Sequence, residues 1–118
     1  MDAACKTYKI YGVIVCYKTN LDAFKKNLIA HQNNFFNIIL VNNSPEISLD
    51  IFKSKQVYII NNQSNIGLAA ALNVGIIEAK KQGAKMVALF DQDTEIPQDF
   101  TQKMQNYINN YKCFAPVA

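Results

Sequence analysis

Residues 86–97 read MVALFDQDTEIP, and this stretch decides the fold. Val87-Ala88-Leu89-Phe90 is an apolar run bounded by turn-prone residues, the pattern of a buried strand. Two carboxylates, Asp91 and Asp93, follow directly, with Gln92 between them. In an open α/β sheet the ligand crevice lies outside the carboxyl ends of the strands. A pair of acids there suits a divalent cation, because Mg²⁺ commonly takes one or two protein carboxylates together with substrate phosphates. The segment therefore points to nucleotide-phosphate chemistry.

The flanking sequence supplies the rest of the sheet. Upstream, Leu68, Leu72, Ile76 and Ala79 mark the apolar stripe of a helix closed by Gly83. Gly67 and Gly75 are costly to a helix and imply close approach of backbone. Asn61-Asn62-Gln63-Ser64-Asn65 is the loop before that helix, and Val57 to Ile60 is the strand before the loop. A short helical segment falls at Leu49 to Phe52. Phe36 to Val41 (FNIILV) is another strand, ended by the turn signal Asn42-Asn43-Ser44-Pro45. Ile10 to Tyr17 (IYGVIVCY) is apolar on both faces, as a central parallel strand should be. Asn20 then caps a helix whose stripe is Leu21, Phe24, Leu28 and Ile29, broken at Asn33-Asn34. Downstream, Pro97 opens a last helix to about Tyr111, and Lys112 to Val117 begins another strand. Strands alternating with helices give a three-layer α/β/α domain around a mainly parallel sheet. The pattern stops at the start of a strand, which reads as a truncated domain.

Composition narrows the function classes. The 118 residues, half of them hydrophobic, suffice for one core. The net charge of +3 is mild, and all 12 basic residues are dispersed lysines. Without arginine the bidentate reading of bases and phosphates loses its best side chain, so nucleic acid is not an expected partner. Cys5, Cys16 and Cys113 match neither a disulfide framework nor a zinc spacing and read as free thiols in a reducing cytoplasm. Lys6 and Lys9 interrupt the N-terminus before any signal-peptide core forms, and no apolar run is long enough to span a bilayer. A soluble chain is expected, with peripheral membrane contact left open.

Four segments, VIVCYKTN at 13–20, IILVNNSP at 38–45, NIGLAAALNVGI at 65–76 and LFDQDTEIP at 89–97, carry a resemblance to a known family. Together they resemble the nucleotide-binding half of family-2 glycosyltransferases with the GT-A fold, in their rhamnosyltransferase-like branch. The resemblance spans about residues 11–117 and implies transfer of a sugar from a dTDP- or UDP-linked donor, with rhamnose from dTDP favoured, to a cell-surface polysaccharide or lipopolysaccharide acceptor. It implies Mg²⁺ or Mn²⁺ as cofactor, with Asp93 nearest the metal and Asp91 nearer the ribose or the metal's water shell. Cys16, Tyr17, Asn42, Asn65, Gly67, Asp91 and Gln92 would line the nucleotide-sugar pocket. Many relatives end the second strand in an aspartate that accepts from the pyrimidine N–H; Asn42 stands there and can still accept through its amide oxygen. Lys18 stands where many relatives carry a neutral polar residue. The family's general base lies in the acceptor-binding half, so residues 1–118 are expected to hold the donor site without it.

Other readings remain at this point. A hydrophobic strand followed by DxD also opens the haloacid-dehalogenase phosphatases, though there on the first strand. A non-catalytic nucleotide-binding or interaction module is a second alternative, with the edge at Lys112 to Val117 inviting a homodimer. No GxGxxG follows the first strand and no GxxxxGK[ST] occurs, which removes the common dinucleotide and P-loop readings. His31 is the only histidine and reads as a surface or helix-end residue rather than a catalytic one. Tyr17 reads either as a stacking ring for the base or as core.

Overall fold

The structure is a computed structural model that describes residues 9–100 and Lys103. Four parallel strands, β1 (Ile10–Cys16), β2 (Asn37–Asn42), β3 (Val57–Asn61) and β4 (Met86–Asp91), form one sheet in the order β3-β2-β1-β4. Two helices, α1 (Leu21–Asn34) and α2 (Leu68–Lys81), and a 3-10 turn at Asp50–Phe52 connect them. The last helix and the strand at Lys112 to Val117, with the dimer edge they suggested, lie outside the described residues, apart from Phe100 and Lys103, which are helical.

β1 is buried along its whole length between β2 and β4, as its two-sided apolar pattern requires. Alternate residues feed two separate cores. Ile10, Ile14 and Cys16 meet Phe24 and Leu28 of α1, together with Phe35, Leu49 and Phe52. Tyr11, Val13 and Val15 meet Ala71 and Ala79 of α2. A helix covers each face, which is the expected three-layer arrangement. Beneath β4, the rings of His31, Phe35, Phe90 and Phe100 form one cluster. His31–Phe90, Phe35–Phe100 and Phe90–Phe100 pack edge to face, the first with centroids 4.7 Å apart, while Phe35 and Phe90 are tilted and His31 and Phe35 are stacked.

Four details differ from the sequence reading. The buried stripe of α2 is Ala71, Gly75 and Ala79, and Leu68 is exposed. The helix lies so close to the sheet that small residues face it, and the larger ones are pushed to the flanks. Ile29 of α1 is exposed, and the stripe of that helix continues instead through Leu28, His31 and Asn34. β4 is an end strand among the described residues, so only Ala88 of its apolar run is buried and Leu89 is exposed. Gly67 does not lie inside the helix; it precedes it at φ 87°, ψ 164°, a conformation that glycine alone adopts readily.

Candidate functional site

Because all four strands run the same way, their carboxyl ends share one edge. The pairing register sets Cys16 beside Asn42 and Asn42 beside Asn61, while Asp91 lies beside Val15. Cys16, Asn42 and Asp91, nominated from sequence, are thus brought to one sheet edge.

The acidic segment turns sharply after β4, and the Thr94 N–H donates to the Asp91 carbonyl at 3.1 Å. The carboxylates of Asp91 and Asp93 belong to exposed residues. Gln92 between them folds back: its Nε2 donates to the Tyr17 carbonyl at 2.7 Å, and its Oε1 accepts from the Tyr17 N–H at 3.2 Å and the Thr19 hydroxyl at 2.7 Å. This pair of bonds to one residue's main chain joins the β1–α1 turn to the acidic turn. It leaves the Tyr17 ring outside the core, 43% exposed, with Lys18 Nζ 5.3 Å from its centroid. The stacking alternative for Tyr17 therefore has an available ring, and the core alternative does not hold.

From below, α1 grips the same turn. The Asn27 amide donates to the carbonyls of Gln92 and Thr94, each at 2.9 Å. His31 Nε2 donates to the Thr94 carbonyl at 3.1 Å, which requires the tautomer with the proton on Nε2. Above α1 opens a cleft of about 360 Å³, whose wall includes Lys18, Thr19, Asn27, Asp93 and Glu95. Asp93 thus shares its cleft with the opening of α1, not with that of α2.

The β2 end is a network of amides. Asn42 is buried, donates to the Ile47 carbonyl at 2.7 Å and to Asn61 Oδ1 at 3.1 Å, and accepts from the Ser44 N–H at 2.9 Å. Asn43 donates its N–H to the Cys16 carbonyl at 2.8 Å and its side-chain amide to the Gly67 carbonyl at 3.3 Å. Asn62 donates to Asn43 Oδ1 at 2.8 Å. Asn65 Oδ1 accepts from the Gly67 N–H at 2.9 Å, an Asx-type turn that leads into α2. Asn65 and Gly67 therefore join the strand-end edge through Asn43.

Burial shifts two titratable groups. The Cys16 thiol is pushed up to about 12, chiefly by burial; the Thr19 hydroxyl opposes the rise and Asp91 adds to it. His31 is held below the ordinary histidine value by burial, opposed by its bond to Thr94. His31 does lie at the end of α1, but it is 1% exposed, so the surface reading fails. Its Nδ1 is buried and has no hydrogen-bond partner among the described residues.

Sequence reasoning missed Asn27, Thr19, Asn43, Ser44 and Asn62. A signal existed for Asn27 and His31: both fall on the helical stripe of Phe24 and Leu28 at spacings of three and four, where polar side chains need buried partners. The partners of Thr19, Asn43 and Asn62, and the Lys18 N–H that donates to the Ser44 hydroxyl at 2.7 Å, are set by chain segments far apart in sequence, and no local pattern announces them.

The fold and site together define a three-layer α/β protein whose strand-end edge carries an acidic turn locked to the loop after the first strand. The chain belongs to glycosyl transferase family 2, whose description fits residues 13–117. It is 29% identical over 103 residues to the dTDP-rhamnosyl transferase RfbF of Shigella flexneri, covering 86% of this chain and 35% of that protein. The fold is shared with residues 1–349 of S. aureus TarS at a TM-score of 0.68 and 16% identity, over 88% of this chain and 33% of the TarS chain. The chain spans about a third of the length of each of these two proteins. Family membership removes the phosphatase alternative. Among the described residues no helix is long and apolar enough to cross a membrane.

Proposed function

We propose that residues 1–118 are the donor-binding part of a glycosyltransferase that passes rhamnose from dTDP-rhamnose to a cell-surface polysaccharide or lipopolysaccharide acceptor at the cytoplasmic face of a bacterial membrane. Family membership supports sugar transfer, and the likeness to an S. flexneri dTDP-rhamnosyl transferase supports the donor. The observation that carries the reading is the placement of Asp93 on a cleft wall directly after a parallel strand, tied through Gln92 to the turn that presents the Tyr17 ring.

In this reading the exposed Tyr17 ring stacks on the base. Cys16 and Asn42 act by shaping the loop after β2, since the Cys16 carbonyl holds the Asn43 N–H and the Asn42 side chain holds the Ser44 N–H. Asn65 and Gly67 shape the approach to the ribose at the start of α2. Gln92 fixes the spacing between base loop and acidic turn. Among the described residues no three of His, Cys, Asp and Glu gather into a metal group. Two exposed carboxylates on a hydrogen-bonded turn nevertheless fit Mg²⁺ or Mn²⁺, because such a cation draws its other donors from diphosphate and water. Asp93 would be its principal ligand and Asp91 the second. When bound, the cation offsets the charge of the departing nucleoside diphosphate as a Lewis acid.

Calorimetric titration with dTDP, UDP and GDP, each with and without Mn²⁺, tests the proposal on the wild type and Asp93→Ala. The expected outcome is a preference for dTDP that strengthens with Mn²⁺, with the metal-dependent part lost in Asp93→Ala. Absence of nucleotide binding, or binding that neither Mn²⁺ nor Asp93 affects, overturns it.

A further inference from the structure

We infer that Asn27 is a positioning residue for the acidic turn, fixing Asp93 for the cation while touching neither cation nor nucleotide. The inference rests on the donor-site reading of that turn and assigns a part to a helix residue outside its motif. One side-chain nitrogen donates to two carbonyls, those of Gln92 and Thr94, each at 2.9 Å. These carbonyls bracket Asp93, so a single amide constrains the backbone on both sides of the carboxylate that lines the cleft. The turn has other restraints. The Gln92 side chain is bonded to Tyr17 and Thr19, and His31 Nε2 shares the Thr94 carbonyl, each holding one side of Asp93 only. The Thr94 N–H donates to the Asp91 carbonyl within the turn itself.

Asn27 itself is well placed to act as the fixed partner. It lies in the interior of the 14-residue helix α1, between Phe24 and Leu28, whose side chains are buried in the core. Its backbone is therefore anchored independently of the turn it holds. Both amide protons are engaged, and a side chain that could only accept would face two carbonyl oxygens with no proton to offer. Partners of this kind, which orient a ligand's own residue, typically contribute about 10–100-fold to metal affinity.

The test compares wild type, Asn27→Ala and Asn27→Asp by thermal melting and by titration with Mn²⁺ alone and with dTDP in the presence and absence of Mn²⁺. The expected result is a loss of Mn²⁺ affinity of about 10–100-fold in both variants, with metal-free dTDP affinity within about twofold of wild type. If wild type binds no metal, the donor-site reading falls first. If wild type binds metal and a folded variant binds it equally well, the positioning role is overturned. A measurement on the wild type alone covers variants that do not fold. Scalar couplings across the hydrogen bonds from Asn27 Nδ2 to the carbonyl carbons of Gln92 and Thr94 are expected both in the free protein and with Mg²⁺ and dTDP added. Their absence from the loaded protein overturns the inference.

Discussion

Gly75 of α2 meets Val13 of β1 so closely that a Cβ built on the glycine would lie 2.4 Å from Val13 Cγ1 and 3.1 Å from Val41 Cγ2. Both valines are fully buried and branched, so neither can swing aside. The glycine sets the distance between the helix and the middle of the sheet. Gly75→Ala is expected to cost about 1–3 kcal/mol through overpacking, of which the better helix propensity of alanine returns at most about 1 kcal/mol. Urea denaturation should show a net loss of stability, and a variant more stable than wild type would refute the packing account.

Gly67 acts for a different reason. A Cβ there would meet nothing within 4 Å, but the residue sits at φ 87°. Gly67→Ala is therefore expected to cost about 1–3 kcal/mol as backbone strain, or to shift the Asn65–Gly67 turn. Since this turn hangs on Asn43, the shift should appear as chemical-shift changes at Asn43 and Asn62. Wild-type stability with an unchanged spectrum would show that the positive φ is not required.

These glycines show how far the sequence could be read. Both stood out in a helical pattern, and close approach was the natural inference for both; it holds for Gly75 and not for Gly67. Sequence identifies an unusual residue, while the reason depends on what lies across from it. The alternation of strands and helices was legible because periodicity is local. The two-sided burial of β1 followed from its composition for the same reason. The stripe of α2 was misassigned because hydrophobicity points to Leu68 and Ile76, whereas tight packing selects Ala71, Gly75 and Ala79. At the site, the acidic turn announced itself, but its fastening through Gln92 to Tyr17 spans 75 residues of chain and has no local signature.

Cys16 is buried and free, and its thiol is pushed up to about 12. At pH 8 it should carry on the order of 10³-fold less thiolate than an exposed cysteine of pKa about 8.5. In a Cys5→Ser, Cys113→Ser background, Ellman's reagent is expected to leave the folded protein unmodified at pH 8 and to react with one thiol per chain in urea. Prompt reaction of the folded protein would show that the β1 end opens to solvent.

His31 couples stability to pH. Its folded pKa lies below the unfolded value of 6.5 because burial disfavours the imidazolium. Protonation would also place a second N–H at Nδ1, which is buried with no partner among the described residues. For a base with a lowered folded pKa, the unfolded chain binds more protons as the solution is acidified. The stabilisation from neutral His31 is therefore complete above about pH 6.5 and is lost as the pH falls from there through the lowered folded value. His31→Gln removes the titration and is expected to be less stable than wild type at pH 8 by on the order of 1–3 kcal/mol, through the lost bond to Thr94 and the altered ring packing. The gap should narrow below pH 6.5, since only the wild type continues to lose this contribution. Urea midpoints measured from pH 8 to pH 5 decide the matter: a gap that stays constant or widens towards acid would mean that His31 does not carry the pH dependence.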